Sequence, residues 1–281
     1  MNGSKRDIIP QIESVYNSFT PLEKTIADYF IHNTDRSDLS SKSVAARLYV
    51  SEASLSRFAK KCGCHGYREF LFYYDQGPEP KPVVENGRTE QVLTMYQELL
   101  NKSYALLDEE QIDRITRLFT EKKRVYVYGV GSSGVAADEM KFRFMRIGVN
   151  IESVTDLHLM KMNFVLLDPD CLVIGVSISG RPEITSALKA AKGQGAATVL
   201  VTTCKEKSYS EFCDEVLLCA VQKNLSNGKA ISPQFPVLVM VDILFAHLLA
   251  GDKFRREALH DSTLKALDNN TRPVPGPFNK E

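Results

Sequence analysis

The sequence predicts an α/β chain in two parts, an all-α head followed by a parallel-sheet α/β sandwich, and three observations carry that reading. Apolar residues recur at helical spacing through residues 1–76. Residues 77–88, GPEPKPVVENGR, hold three prolines and few apolar side chains, which suits a linker. Beyond them, apolar runs of four to six residues alternate with helical segments, the βαβ rhythm of a sheet covered on both faces.

In the head, a first helix is expected near Ile8 to Tyr16. Thr20-Pro21-Leu22-Glu23 combines a capping box with proline at the first helical position, so a second should run to about His32. From Lys42 to Arg68, six basic residues (Lys42, Arg47, Arg57, Lys60, Lys61 and Arg68) face one acid, Glu52, in a chain whose 35 basic and 35 acidic residues otherwise cancel. The apolar residues there, Val44, Ala45, Leu48, Val50, Leu55 and Phe58, have the spacing of two short helices packed across a tight turn, a helix-turn-helix. A helix around Tyr67 to Tyr74 completes the head.

The second helix of that pair should start at Ser51, whose hydroxyl can cap its first turn. Leu55, Phe58 and Ala59 then face inward, leaving Glu52, Ser54, Ser56, Arg57, Lys60 and Lys61 mostly on the exposed side. Such a helix meets base edges with its N-terminal residues and phosphates with its basic ones. Ser51, Glu52, Ser56 and Arg57 are assigned to bases or nearby phosphates, with Ser54 on the same DNA-binding face, and Lys60 and Lys61 to phosphates. The turn position before Val50, which favours glycine, is Tyr49, so a looser turn is expected.

A composition of 43% hydrophobic and 25% charged residues is that of a soluble globular protein, and no apolar run is long enough to cross a bilayer. No membrane partner is expected. The N-terminus lacks a signal-peptide stretch, so the expected compartment is the cytoplasm. Of the six cysteines, all but Cys62 and Cys64 fall in apolar surroundings that suit reduced, buried thiols. Cys62-x-Cys64 beside His65 hints at metal, but no second ligand pair follows at finger spacing, and structural thiols are preferred. No metal and no cofactor are expected.

The second domain is expected over residues 89–270, with a loose tail over 271–281. Helices should cover Thr89 to Leu107 and Glu109 to Thr120; strands should follow at Arg124 to Tyr128, NIESV, CLVIGV, ATVLVT and EVLLCA. Pro236 to Leu249 and Lys253 to Leu267 should be closing helices.

After the first strand comes Gly129-Val130-Gly131-Ser132-Ser133-Gly134, literally GxGxxG, and then a helix-forming stretch. Free N–H groups and the helix dipole make such a junction an anion site. A dinucleotide reading follows, with Glu152 as the ribose acid. Against it, Ser132 and Ser133 add hydroxyls where a pyrophosphate wants bare backbone, and CLVIGV ends in a second serine-rich turn, Ser177-Ile178-Ser179-Gly180. Two such turns can converge on one phosphomonoester. Plain structural turns are the third alternative.

The stretch FTPLEKTIADYF…SVAARLYVSEASLSRFAKKCGCHGYREF closely resembles the helix-turn-helix domain of RpiR-type bacterial transcription regulators, and the GVGSSG and SISG turns resemble those of the sugar-isomerase (SIS) domain that such regulators carry. The resemblance implies a flavodoxin-like SIS domain that binds a phosphorylated sugar effector and alters binding of double-stranded operator DNA by the head. It places effector contacts on Gly131, Ser132 and Ser133 in the first turn and on Ser177, Ser179, Gly180, Arg181 and Glu183 around the second. SIS domains usually carry a threonine between the Ser-Gly and the Glu; Gly180-Arg181-Pro182-Glu183 lacks it, and Arg181 offers a charged donor instead.

Because SIS folds also serve aldose-ketose isomerases, a sugar-phosphate isomerase with an accessory DNA-binding domain is the alternative. Its base would have to be Glu183, Glu139 or His158, each with an ordinary structural role open to it. Sensing explains both halves of the chain, so no catalytic residue is assigned. His32, His65, His247 and His260 suggest no triad or metal site. A homodimer or homotetramer is expected, since two-fold symmetry doubles the contacts on a palindrome.

Overall fold

The computed structural model describes residues 8–33, 36, 38–76, 87–220 and 231–267. Residues 77–86 of the expected linker and all of the expected tail lie outside them. The chain divides into two compact units, one of residues 1–107 with 203–206 and 220–232, the other of 108–202, 207–219 and 233–281. Among the described residues no single helix is long and apolar enough to cross a membrane.

The first unit is helical: α1 (Ile9–Val15), α2 (Pro21–His32), α3 (Ser41–Leu48), α4 (Glu52–Lys61), α5 (Tyr67–Gln76) and α6 (Arg88–Leu106). Helix α2 begins where the capping box requires, with the Thr20 hydroxyl accepting from the Glu23 amide and the Glu23 carboxylate accepting from the Thr20 amide at 2.8 Å. The core gathers on Phe30, whose ring packs 4.8 Å from Phe70 and 5.1 Å from Tyr74, centroid to centroid. The buried phenols keep partners: Tyr67 donates to the Leu39 carbonyl and Tyr74 to that of Phe30. Burying a tyrosine this way keeps its area in the core without stranding its hydroxyl. Helix α6, expected to open the second domain, groups instead with this unit; it packs on α1, and Lys102 Nζ lies 2.7 Å from the Glu13 carboxylate.

The second unit holds α7 (Glu109–Glu121), β1 (Arg124–Gly129), α8 (Ser132–Met145), β2 (Ile151–Val154), α9 (Leu157–Asn163), β3 (Cys171–Val176), α10 (Pro182–Gly193), β4 (Ala197–Thr202), β5 (Glu215–Leu218), α11 (Phe235–Gly251) and α12 (Lys253–Leu267). All pairings are parallel and the strand order is β2-β1-β3-β4-β5. Strands β3 and β4 are buried along their whole length, which explains their unbroken apolar runs.

From β1 the chain crosses to one side of the sheet and from β3 to the other. With right-handed crossovers, that reversal puts α8 and α10 on opposite faces. Phe119, Phe144 and Phe245 knit α7, α8 and α11 together on the α8 face, with centroids 5.1 and 5.6 Å apart. On the other face α10 packs on β3 and β4, and Ile184 and Leu188 are buried.

Candidate nucleic-acid interface and effector turns

In the first unit, α3 and α4 form the expected helix-turn-helix, with Val44, Ala45, Leu55, Phe58 and Ala59 buried. The turn is tight rather than loose. Tyr49 takes the left-handed conformation at φ 54°, its amide bonds the Ala46 carbonyl at 3.3 Å, and the Val50 amide bonds that of Ala45 at 2.9 Å. Those two bonds close α3 as a Schellman motif, satisfying carbonyls that would otherwise be orphaned. A side chain in that conformation costs on the order of 1–2 kcal/mol that glycine would not.

Helix α4 starts at Ser51, as expected, with its hydroxyl accepting from the Ser54 amide at 3.1 Å. Ser54 departs from expectation: it is buried, its hydroxyl lies 2.9 Å from that of Ser51, and Arg57 Nη2 donates to it at 3.1 Å. It belongs to the cap and steadies Arg57 rather than facing outward. Lys61 is exposed, and its ammonium lies 2.7 Å from Glu23 and donates to the Ser18 carbonyl. Burial works against ionisation of Glu23, but the bonds from Lys61 and Thr20 outweigh it and hold its carboxyl below the usual range. Glu52 accepts from the Ser41 hydroxyl at 2.5 Å, tying the start of α4 to that of α3. Arg57 and Lys60 are exposed and Ser56 is half-buried.

Cys62 and Cys64 are buried and outside any disulfide, as are the other four cysteines, which corrects the expectation that this pair differs in its surroundings. Burial pushes the Cys62 thiol up. The His65 ring is exposed, 2.8 Å from Glu69. Among the described residues no group of three or more His, Cys, Asp or Glu side chains is placed to hold a metal ion.

In the second unit, the register brings the two serine-bearing turns together. Gly129 at the end of β1 lies opposite Val176 at the end of β3, so the chain leaves the sheet side by side at the point where the strand order reverses. Open parallel sheets bind ligands in that crevice, outside the carboxyl ends of the strands. In the first turn, Gly131 stands before α8, whose opening residues are Ser132, half-buried, and Ser133, buried. A Cβ on Gly129 would lie 2.6 Å from the Ser133 carbonyl, so glycine there lets the helix start press against the strand end.

In the second turn, the Gly180 amide donates to the Ser177 carbonyl and the Arg181 amide to the Ser177 hydroxyl at 2.7 Å. Ser177 is buried and caps the approach to α10; accepting that bond leaves its own O–H to donate. Ser179, Arg181 and Glu183 are exposed, and Arg181 Nε stands 3.9 Å from the Glu183 carboxylate. Gly180 has φ 66°, and a Cβ there would meet the Tyr209 hydroxyl at 2.2 Å.

Tyr209, from the loop after β4, therefore walls this turn, and Thr202 fixes it by donating to the Ile178 carbonyl at 3.3 Å. Sequence reasoning missed both, since neither lies in a motif. Glu152, offered as a ribose acid, is exposed and paired with Lys141 at 2.5 Å. Glu139, Glu183 and His158 are all exposed. A cleft of 640 Å³ opens elsewhere, bordered by Lys123, Gly148 and Asn150 at the amino ends of β1 and β2, away from the crevice of this strand order.

The helix-turn-helix domain model of the rpiR family matches residues 6–73, and the SIS domain model matches residues 118–246. A Haemophilus influenzae protein described as an uncharacterized HTH-type transcriptional regulator is 31% identical over 277 residues, covering 93% of this chain and 96% of its own. The HTH-type transcriptional regulator RpiR of Escherichia coli is 24% identical over 215 residues, 73% of each chain. Among solved structures, the Vibrio vulnificus NanR protein complexed with ManNAc-6P superposes with a TM-score of 0.60 at 21% identity, covering 92% of this chain and 97% of that one. The sugar isomerase domain of an RpiR transcription factor from Sphaerobacter thermophilus gives 0.57 at 23% identity, over 63% and 98%. With both domain models matched in order and a full-length relative above 30% identity, the chain belongs to the RpiR family of HTH-type transcriptional regulators, an N-terminal helix-turn-helix followed by an SIS domain.

Proposed function

We propose that this regulator reads double-stranded operator DNA with α4 and that a sugar phosphate, held between the turns after β1 and β3, changes its affinity for that DNA. The observation that carries the effector reading is the register that sets Gly129 opposite Val176, so that the turns bearing Ser132 and Ser133 and bearing Ser177 and Ser179 leave the sheet from neighbouring strand ends at the switch point. Hydroxyls and helix-terminal amides are neutral donors suited to a phosphate, and α8 and α10 both begin there. Arg181 adds the charged donor, with Gly131, Gly180 and Glu183 shaping the rim. The structurally similar NanR protein, in complex with ManNAc-6P, supports a phosphorylated sugar as the class.

On this reading the chain is a cytoplasmic sensor and not an enzyme. Glu139, Glu183 and His158 are exposed, and isomerisation would leave the helix-turn-helix head without a role. The regulator works as a homodimer or homotetramer, and the effector acts only through its differential affinity for two arrangements of the assembly.

A thermal-shift screen against phosphorylated hexoses, pentoses and amino sugars, with NAD and unphosphorylated sugars as controls, tests the effector. One phosphosugar should raise the Tm and remain chemically unchanged after incubation. Stabilisation by NAD alone would restore the dinucleotide reading, and turnover of the sugar would make the chain an isomerase.

A further inference from the structure

We propose that Tyr49 is a further DNA-contacting residue, its phenol hydroxyl donating to a backbone phosphate at the edge of the groove that α4 enters. The inference rests on the reading of α4 as the DNA-reading helix and extends it to the turn. Tyr49 is held at φ 54°, a conformation that glycine adopts freely and a tyrosine does not, by the two bonds that close α3. Its side chain is 97% exposed, so the ring adds nothing to the core that would offset the strain. Among the described residues its hydroxyl takes no hydrogen-bond partner. A strained residue whose side chain does nothing for the fold is the kind of residue that marks a ligand contact.

Its position says which ligand. Tyr49 lies two residues before Ser51, the cap of α4, and the N-terminal end of a recognition helix is the end that meets DNA. Lys42 and Arg47 on α3 are exposed on the same motif, so the surroundings favour an anion. Tyrosine is among the side chains that bond phosphate oxygens and so set the register of a helix on the duplex. The cap itself is occupied in holding α4, Ser51 by Ser54 and Glu52 by Ser41. A donor projecting from the turn adds a phosphate contact beside those of α4.

The test uses the full chain and a duplex that the wild-type protein selects from a randomised library, with affinity read by fluorescence anisotropy across a salt series. Tyr49→Phe, which removes only the hydroxyl, should weaken binding roughly tenfold, the scale of one hydrogen bond to a charged acceptor. Its salt slope should stay as in wild type, because a neutral donor releases no counterion. Tyr49→Gly should bind at least as weakly while its Tm stays level or rises. Arg57→Ala serves as the reference, losing affinity and flattening the slope. Tyr49→Phe binding as tightly as wild type, while Arg57→Ala is weakened, would overturn the phosphate contact. If Arg57→Ala also bound normally, the assignment of α4 itself would fall.

Discussion

The two units place their candidate sites by different means. In the head the groups proposed for α4 to face DNA lie within ten residues of each other, on one helix and its cap, and their spacing decides which of them share a face. In the sheet domain the proposed effector groups come from turns more than forty residues apart, and those turns are neighbours only because β1 and β3 are. A local site tolerates change around it, since a side chain on a helix surface depends on little but its helix. A site assembled from strand ends inherits every constraint of the sheet, and glycine at 129 and 180 is the mark of that crowding.

The largest effect that would sharpen this contrast comes from the head core. Phe30→Ala should cost about 3–5 kcal/mol, because the ring is buried among five aromatic neighbours. Calorimetry should show operator binding lost with the head transition, while a phosphosugar still stabilises the sheet domain. A single transition that moves as one would remove the contrast between the units.

Gly180→Ala should be next, with effector binding falling at least tenfold. The new methyl meets the Tyr209 hydroxyl at 2.2 Å on a backbone already at φ 66°. Tyr209→Phe in the same chain opens that contact and should recover part of the loss in a calorimetric titration. No recovery would mean that Tyr209 does not wall the turn.

Arg57→Ala should weaken operator binding by roughly 1 to 3 kcal/mol without a change in fold, as read by anisotropy and circular dichroism. The smallest effect concerns Glu23. Its carboxyl is held below the ordinary range, so its contribution is present above the pKa of the unfolded chain and is lost as pH falls through the folded value. Glu23→Gln should therefore lower the unfolding free energy read from urea titration at neutral pH by about 0.5–1 kcal/mol, and wild type and variant should converge in acid. A gap that persists at low pH would assign Glu23 a role other than its charge.

Most of the fold was legible because its signals are local. The Thr20-to-Glu23 cap starts α2, and the fully buried β3 and β4 read as unbroken apolar runs. What escaped the sequence depends on partners far along the chain. Lys61 pairs with Glu23, which lies 38 residues upstream, and Tyr209 meets Gly180 through a loop that carries no motif. Ser54 was misplaced for a different reason: serine in the first turn suits either a contact or a cap, and the hydroxyl of Ser51 draws it into the cap. Tyr49 shows that local rules bend as well, since two backbone bonds suffice to hold a tyrosine where glycine is preferred.

Operator affinity measured with and without the stabilising phosphosugar, in wild type and in Ser179→Ala, tests the central claim most directly. The phosphosugar should change wild-type affinity by at least fivefold and leave the variant's affinity, equal to that of the effector-free wild type, unmoved. Equal affinity in wild type with and without the sugar, or an undiminished response in Ser179→Ala, would contradict it.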